Sequence, residues 1–282
     1  GPFANIAHGN SSIIQDKIAL SLCDYVVTEA GFGADCGAEK FFDIKCRASG
    51  LTPNVVVLVC SVRALKAHGG MATNNIFALE KGLSNLKKQI ENIKFFGVPV
   101  VVAINRFKTD KQEELDIIRR DALIFGADDC QISEVWAKGS SGGLDLARSV
   151  VKLSRIKNKF RYLYPLDASV KDKIKAIATR IYGAKDVAYS KTAELKLRGL
   201  SKSPWNRLPV CMAKTQFSLS HDPKLKGAPQ GFVLPVRDLR VFAGAGFISC
   251  LCGDIQTMPG LPRSPRGENI DIDSKGNTIG LI

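Results

Sequence analysis

Short apolar runs alternate with amphipathic stretches along most of the chain. Ile13, Ile14, Ile18, Leu20 and Leu22 predict a helix over 11–23 with one buried face. The β-branched run Val26-Val27-Thr28 predicts a strand over 26–30, and a helical pattern follows over 38–48. The run 53–62 reads as a second buried strand. Two buried strands joined by a helix predict a parallel βαβ unit. Leu79, Leu83, Leu86, Ile90 and Ile93 predict a helix over 76–96, which Gly97 stops. The run 98–105 is a third buried strand, followed by a helix over 110–125 and a short strand near 130–135. Gly139-Ser140-Ser141-Gly142-Gly143 is a flexible turn before a helix over 144–157. Beyond Pro165 the pattern predicts a helix over 169–182, a loop at Lys202–Trp205 and a strand over 208–214. The tail is rich in Gly and Pro, with short strands at 231–236, 247–251 and 270–272. The fold class expected is α/β, with parallel and mixed sheets flanked by helices. The expected division is an α/β domain over 1–96, a second α/β domain over 97–217 and a small β-rich C-terminal subdomain over 218–282.

Composition narrows the classes. The 282 residues are 45% hydrophobic, enough for a stable core without staples. No apolar run reaches the roughly 18 residues of a membrane helix, so no membrane partner is expected. The opening has no charged n-region with an apolar h-region. It begins without Met on Gly1-Pro2-Phe3 and reads like the middle of a domain, so a fragment is expected. Lys and Arg outnumber Asp and Glu by 40 to 27, a net charge of +13. A nucleic-acid surface, a site for polyanionic small molecules, and solvated lysines all account for such an excess. The charges form no block of five or more, which argues against nucleic acid. Eight scattered cysteines without a CxxC, and three histidines, argue against a zinc cluster; no metal site is expected. The cysteines read as reduced core residues of a cytoplasmic protein.

In open α/β sheets ligands bind outside the carboxyl ends of strands. Three such ends carry unusual cargo and are expected at one sheet margin: Gly31–Asp35, Asn105–Phe107 and Glu134–Lys138. The turn of Gly31, Gly33 and Gly37 presents backbone N–H groups and a helix N-terminus suited to phosphate or carboxylate; its GxGxxxG spacing equally suits a bare tight connection. Phe107 and Trp136, on adjacent strand ends, suit a flat heterocycle held between two rings; the alternative is that Trp136 caps the core. Asp35 offers a partner to a cation or ammonium group, or an N-cap for the next helix. His8 offers a donor to an anion, or a structural role. Glu134 is placed to pair with Lys138. The chain has no HExxH or GxxxxGK[ST] motif, and no nucleophile with its base is apparent, so no catalytic residue is assigned.

Eight ordered blocks carry a resemblance across the chain: GPFANIAHGNSS at 1–12, TEAGFGAD at 28–35, EKFFDIKCR at 39–47, VRALKAHGG at 62–70, GVPVVVAINRF at 97–107, SEVWAKG at 133–139, LPVCMAKTQFSLSHDP at 208–223 and GAGFI…MPGLP at 244–262. Together they resemble formate–tetrahydrofolate ligase. The resemblance implies ATP with Mg2+, formate and tetrahydrofolate as substrates, formyl phosphate as intermediate and 10-formyltetrahydrofolate as product. A monovalent cation and a homotetramer are further implications. Phe107 and Trp136 resemble the pair that sandwiches the pterin. Asn5, Ala7 and His8, with Gly31, Phe32, Gly33 and Asp35, resemble walls of the nucleotide and formyl phosphate cavity. The resemblance also implies that 1–96 is the remainder of an incomplete, P-loop-NTPase-like nucleotide-binding domain and that 97–217 carries a wall of the folate pocket. Family members are about twice as long, and their phosphate loop and catalytic arginine lie in the N-terminal half, outside these blocks. The chain also looks shortened after His68-Gly69-Gly70. It is therefore expected to be inactive by itself, with open strand edges. The alternative is a degenerate, non-catalytic folate- or nucleotide-binding fragment.

Overall fold

The computed structural model describes residues 4–70, 76–255, 257, 263–274 and 276–280. The first three residues of the opening block and the MPGLP of the last block, at 258–262, lie outside the described residues.

Val100 to Ile104 are buried without exception, which only a strand covered on both faces tolerates. Accordingly β2 (Val100–Asn105) is the centre of a three-stranded parallel sheet, between β1 (Val56–Cys60) and β3 (Asp129–Ser133). Asn105 pairs with Ser133, so β2 and β3 end side by side. Val100, Val102 and Ile104 enter the core with Leu115 and Ile118 of α5 (Gln112–Ile124). By contrast β1 alternates: Val57 and Val59 face solvent on an edge strand, so the continuous buried run expected there is shorter and half exposed.

Helix α4 (Ile76–Phe95) buries Leu79, Leu83, Leu86, Ile90 and Ile93, as their spacing predicts. It stops at Gly97, whose φ of 77° favours glycine. It packs on α3 (Val62–His68). The short α6 (Val135–Lys138) leads through a 3-10 turn to α7 (Leu144–Ser154), which packs on β3.

A second, mixed sheet has the order β4 (Asp186–Tyr189), β6 (Val233–Phe242), β7 (Phe247–Cys252), β5 (Val210–Ala213). Both margins are parallel and the central pair is antiparallel. Helices α8 (Val170–Ala176), extended by a π-helical stretch Ile177–Tyr182, and α9 (Lys191–Ser201) pack on it. A separate two-stranded ladder joins β8 (Asp271–Ile272) and β9 (Thr278–Ile279). One apolar core runs through both sheets, from Phe42 and Leu79 to Met212 and Ile248.

Four local expectations need correction. First, 26–30 is not a strand: it is irregular, and the Glu29 carbonyl accepts the Asn10 N–H at 3.0 Å. Second, α1 (Ile13–Leu22) is a helix capped by Ser12, but its apolar face is not buried; the residue it buries is Asp16, paired with Lys45 at 2.7 Å. Third, β4 and α9 form where no element was expected. Ser190 caps α9, accepting the Ala193 N–H at 3.1 Å, and Ala193, Leu197 and Leu200 face inward. Fourth, the strands at 231–236 and 247–251 join one sheet with 186–189 and 210–213.

Candidate functional site

The segment 33–49 is one continuous helix of mixed type. Gly33–Ala38 and Phe41–Cys46 are π-helical, and α2 (Arg47–Ser49) is its last turn. The Gly37 N–H bonds the Phe32 carbonyl five residues back at 3.0 Å. Gly37 is where the chain nearly touches itself: a Cβ there would lie 1.9 Å from the Ala30 carbonyl oxygen.

The glycine turn does not leave its helix N-terminus free. The Gln89 Oε1 accepts the N–H groups of Ala34 at 2.8 Å and Asp35 at 3.1 Å. Asp35 is neither an N-cap nor an open cation ligand. Its carboxylate is buried, accepts the Gln89 Nε2 at 2.9 Å and pairs with the Lys214 Nζ at 2.7 Å. Burial alone would raise its pKa, but Lys214, Gln89 and Cys36 outweigh burial and hold it below the usual carboxylate range. Lys214 also donates to the carbonyls of Thr215 and Ser218 and lies 4.9 Å over the Tyr182 ring.

A cavity of about 1790 Å³ opens beside this turn. Asn5, Ala7, His8, Gly31 and Phe32 line it, with Lys40, Lys45 and Lys214. Gly33 and Asp35 are not part of its wall. Bonds at Asn5 tie down the opening segment. The Asn5 Nδ2 donates to the Lys214 carbonyl at 3.0 Å, the Lys40 Nζ donates to the Asn5 carbonyl at 2.7 Å, and the Asn5 N–H donates to the Thr257 carbonyl at 3.2 Å. His8 packs edge-on against Phe247, 5.5 Å between ring centres, and both of its ring nitrogens lack a hydrogen-bond partner among the described residues. Burial, helped by Lys40, lowers its pKa, so the ring is a neutral donor and acceptor.

Behind the cavity the same helix carries two costly carboxyls. Neither oxygen of Glu39 has a hydrogen-bond partner among the described residues, and burial, reinforced by the Asp43 charge, pushes its pKa well above the usual range. Burial also raises Asp43 to about 6, against the Leu163 N–H and the Arg47 guanidinium that favour its charge. In this pH range the folded chain holds protons that the unfolded chain has released. Stability therefore falls as pH rises from near 4 through the folded-state pKa values. Glu39→Gln is expected to raise the urea midpoint at a pH of about 8 and to flatten its fall from a pH of about 5. An unchanged profile in the variant would remove Glu39 from this account.

At the other candidate margin, Phe107 and Trp136 hang from the ends of β2 and β3. The Trp136 Nε1 donates to the Arg106 carbonyl at 2.6 Å. The Phe107 N–H donates to the Asp110 Oδ2 at 2.8 Å. Trp136 is 54% exposed, so it does not cap the core. The Arg63 guanidinium lies 5.2 Å over the Phe107 ring, and the Lys108 Nζ 5.7 Å over Trp136. Glu134 accepts both Lys138 at 2.5 Å and Arg106 at 3.5 Å. The two rings make no direct contact with each other. The cavity wall contains neither ring, and the glycine turn is not at a sheet margin with them. Thus two of the three expected strand ends meet. Sequence reasoning missed Gln89, Lys40 and Lys214, which brace the glycine turn and the opening segment.

Among the described residues no helix is long and apolar enough to cross a membrane, and no cluster of His, Cys, Asp and Glu could hold a metal ion.

Comparison with known proteins bears on the whole chain. The family model described as formate–tetrahydrofolate ligase matches residues 1–282. The formate–tetrahydrofolate ligase of Roseiflexus sp. (strain RS-1) is 52% identical over 294 residues, covering 100% of this chain and 52% of its own length. That of Desulforamulus reducens is 48% identical over 295 residues, with the same coverage. The human cytoplasmic C-1-tetrahydrofolate synthase is 53% identical over 295 residues, covering 99% of this chain and 32% of its own length. The chain thus spans about half the length of the single-named ligases it matches. A match to the family model from the first residue to the last, joined to identities near one half, places this chain in the formate–tetrahydrofolate ligase family.

Proposed function

We propose that this chain contributes to the ATP-dependent ligation of formate to tetrahydrofolate, giving 10-formyltetrahydrofolate by way of formyl phosphate. Its share is a wall of the folate pocket, at Phe107 and Trp136, and part of the nucleotide cavity, at Asn5, Ala7, His8, Gly31 and Phe32. ATP with Mg2+ and tetrahydrofolate are its substrates, and the cytoplasm is its compartment. By itself the chain turns over no ATP.

The observation that carries this reading is the bond from the Trp136 Nε1 to the Arg106 carbonyl. It fixes an exposed indole next to Phe107, at the end of paired parallel strands, where α/β proteins bind ligands. An exposed tryptophan spends apolar area on solvent, and a flat heterocycle stacked on it recovers that area. Titrating tetrahydrofolate into a Trp205→Phe variant, which leaves Trp136 as the one indole, is expected to quench fluorescence saturably. Following the same titration by calorimetry, Trp136→Ala should weaken binding at least about tenfold, since one aromatic stack is worth 0.5–1.5 kcal/mol beyond its buried area. Equal affinity with and without the indole would sink the folate reading. Formate-dependent ATP turnover by the purified chain would contradict the claim that it is inactive alone.

A further inference from the structure

Residues 62–70 carry part of the family resemblance, yet none of them lines the cavity. Their place is at the other margin. Ser61 alone separates β1 from α3 and caps the helix, accepting the Ala64 N–H at 3.2 Å. Because β1, β2 and β3 are parallel, α3 starts at the edge of the sheet where Phe107 and Trp136 stand.

Arg63 and Lys66 lie three residues apart on α3, so they share a face. Arg63 is exposed and makes no ion pair among the described residues. Its guanidinium lies 5.2 Å over the Phe107 ring, close enough for the ring face to attract the charge. Lys66 is buried, and its Nζ pairs with the Oε1 of Glu114, on α5, at 2.5 Å. The other carboxylate oxygen of Glu114, Oε2, accepts the Lys111 N–H at 3.0 Å.

That bond matters because Lys111 ends the loop that begins at Arg106 and carries Phe107. The Arg106 N–H donates to the Ser133 carbonyl at 3.1 Å, which holds the start of the loop. The Asp110 N–H donates to the Phe107 carbonyl at 3.1 Å, which closes its turn. Glu114 holds its end, and Lys66 holds Glu114. Helix α3 therefore bears on Phe107 twice, at the root of the loop through a buried ion pair and at the ring through a guanidinium.

We propose that Arg63 and Lys66 are positioning residues for Phe107. Lys66, acting through Glu114, anchors the loop, and Arg63 stacks on the ring and holds its orientation. A binding ring on a loop is placed only as well as the groups behind it are fixed. The proposal rests on the folate reading for its ligand, but its first readout needs no ligand.

That readout is the NMR shift of the Arg63 Cδ protons in the complete 282-residue chain. The Phe107 ring current should place them upfield of their position in Phe107→Leu. The double variant Lys66→Met, Glu114→Gln cuts the tie between α3 and α5, keeps an acceptor for the Lys111 N–H and strands no buried charge. Circular dichroism checks that it is folded. In it the Arg63 protons should move back toward their Phe107→Leu position. An unmoved signal would overturn the anchoring by Lys66, and equal shifts in the parent and Phe107→Leu would overturn the stack. The second readout is tetrahydrofolate affinity by calorimetry. Arg63→Met should weaken it about two- to fivefold, the worth of one exposed cation–ring contact. Arg63→Lys should recover little, since an ammonium supplies the charge without the planar stack. Full recovery with lysine would make Arg63 a mere charge and overturn its positioning role. Equal affinity of Arg63→Met and the parent would overturn that role alone, whereas a parent that binds no tetrahydrofolate would overturn the folate reading and the ligand role of α3 with it.

Discussion

Lys214→Met is expected to lower the unfolding free energy by about 3–5 kcal/mol, the usual cost of removing one member of a buried ion pair. Lys214 has no exposed side-chain surface, and the Asp35 side chain is 8% exposed. Methionine fills a similar volume, so the loss is electrostatic rather than a cavity. It strands the Asp35 carboxylate and leaves the carbonyls of Thr215 and Ser218 without this donor. The double variant Asp35→Asn, Lys214→Met should recover much of the loss, since it removes the stranded charge. The pH dependence gives an independent signature. Asp35 titrates below its usual value in the folded chain, so the pair's contribution is present above the unfolded pKa near 4 and is lost as pH falls through the folded value. This is opposite in sign to the effect of Glu39 and Asp43, so variants at the two places separate them. Urea midpoints for the two single variants and the double variant measure the coupling. If Lys214→Met alone were as stable as the parent, Asp35 would be finding water or a proton at no cost, and the bracing of the glycine turn would need another cause.

Gly37→Ala should destabilise by about 3 kcal/mol, at the upper end of what overpacking costs. Elsewhere in a helix the same change is favourable by about 1 kcal/mol, so the sign is diagnostic. The new Cβ would meet the Ala30 carbonyl oxygen at 1.9 Å, the Ala30 carbonyl carbon at 2.7 Å and the Gly31 carbonyl carbon at 2.8 Å. All three are backbone atoms, so no side chain can swing aside. The turn 30–33 must move, and with it the cavity wall formed by Ala30, Gly31 and Phe32. Denaturant unfolding reads the loss, and ligand affinity measured on the folded variant reads the displaced wall. A Gly37→Ala chain as stable as the parent would mean that helix and segment are not in contact there.

How much of this was legible in the chain depends on whether the signal was local. β2 was readable because Val100 to Ile104 leave no polar position for solvent. α4 was readable because its leucines and isoleucines repeat with the helical period and Gly97 ends it. Residues 26–30 carry strand-forming side chains, but strand formation needs a neighbour, and propensity does not provide one. The α1 stripe misled in the same way: periodicity identifies a face, not what covers it. α9 was missed although Ser190, Ala193, Leu197 and Leu200 spell a cap and an inward face. At the site, Phe107 and Trp136 could be placed because strand ends can be counted along the sequence. The Asp35–Lys214 pair and the Gln89 brace could not, since each joins residues far apart in the chain with no shared motif.

The order of the mixed sheet sets a constraint on how a ribosome delivers this protein. β4 and β5 do not pair with each other; among the described residues the strand partner of each lies in the hairpin of β6 and β7, which is made after both. Synthesis proceeds from first strand to last, whereas assembly must begin at the middle of the sheet. At 5–20 residues per second, the nascent chain carries β5, buried at every position in the finished fold, for roughly 2–8 seconds before its strand partner exists. In that interval Val210, Cys211 and Met212 are what a holdase would grip.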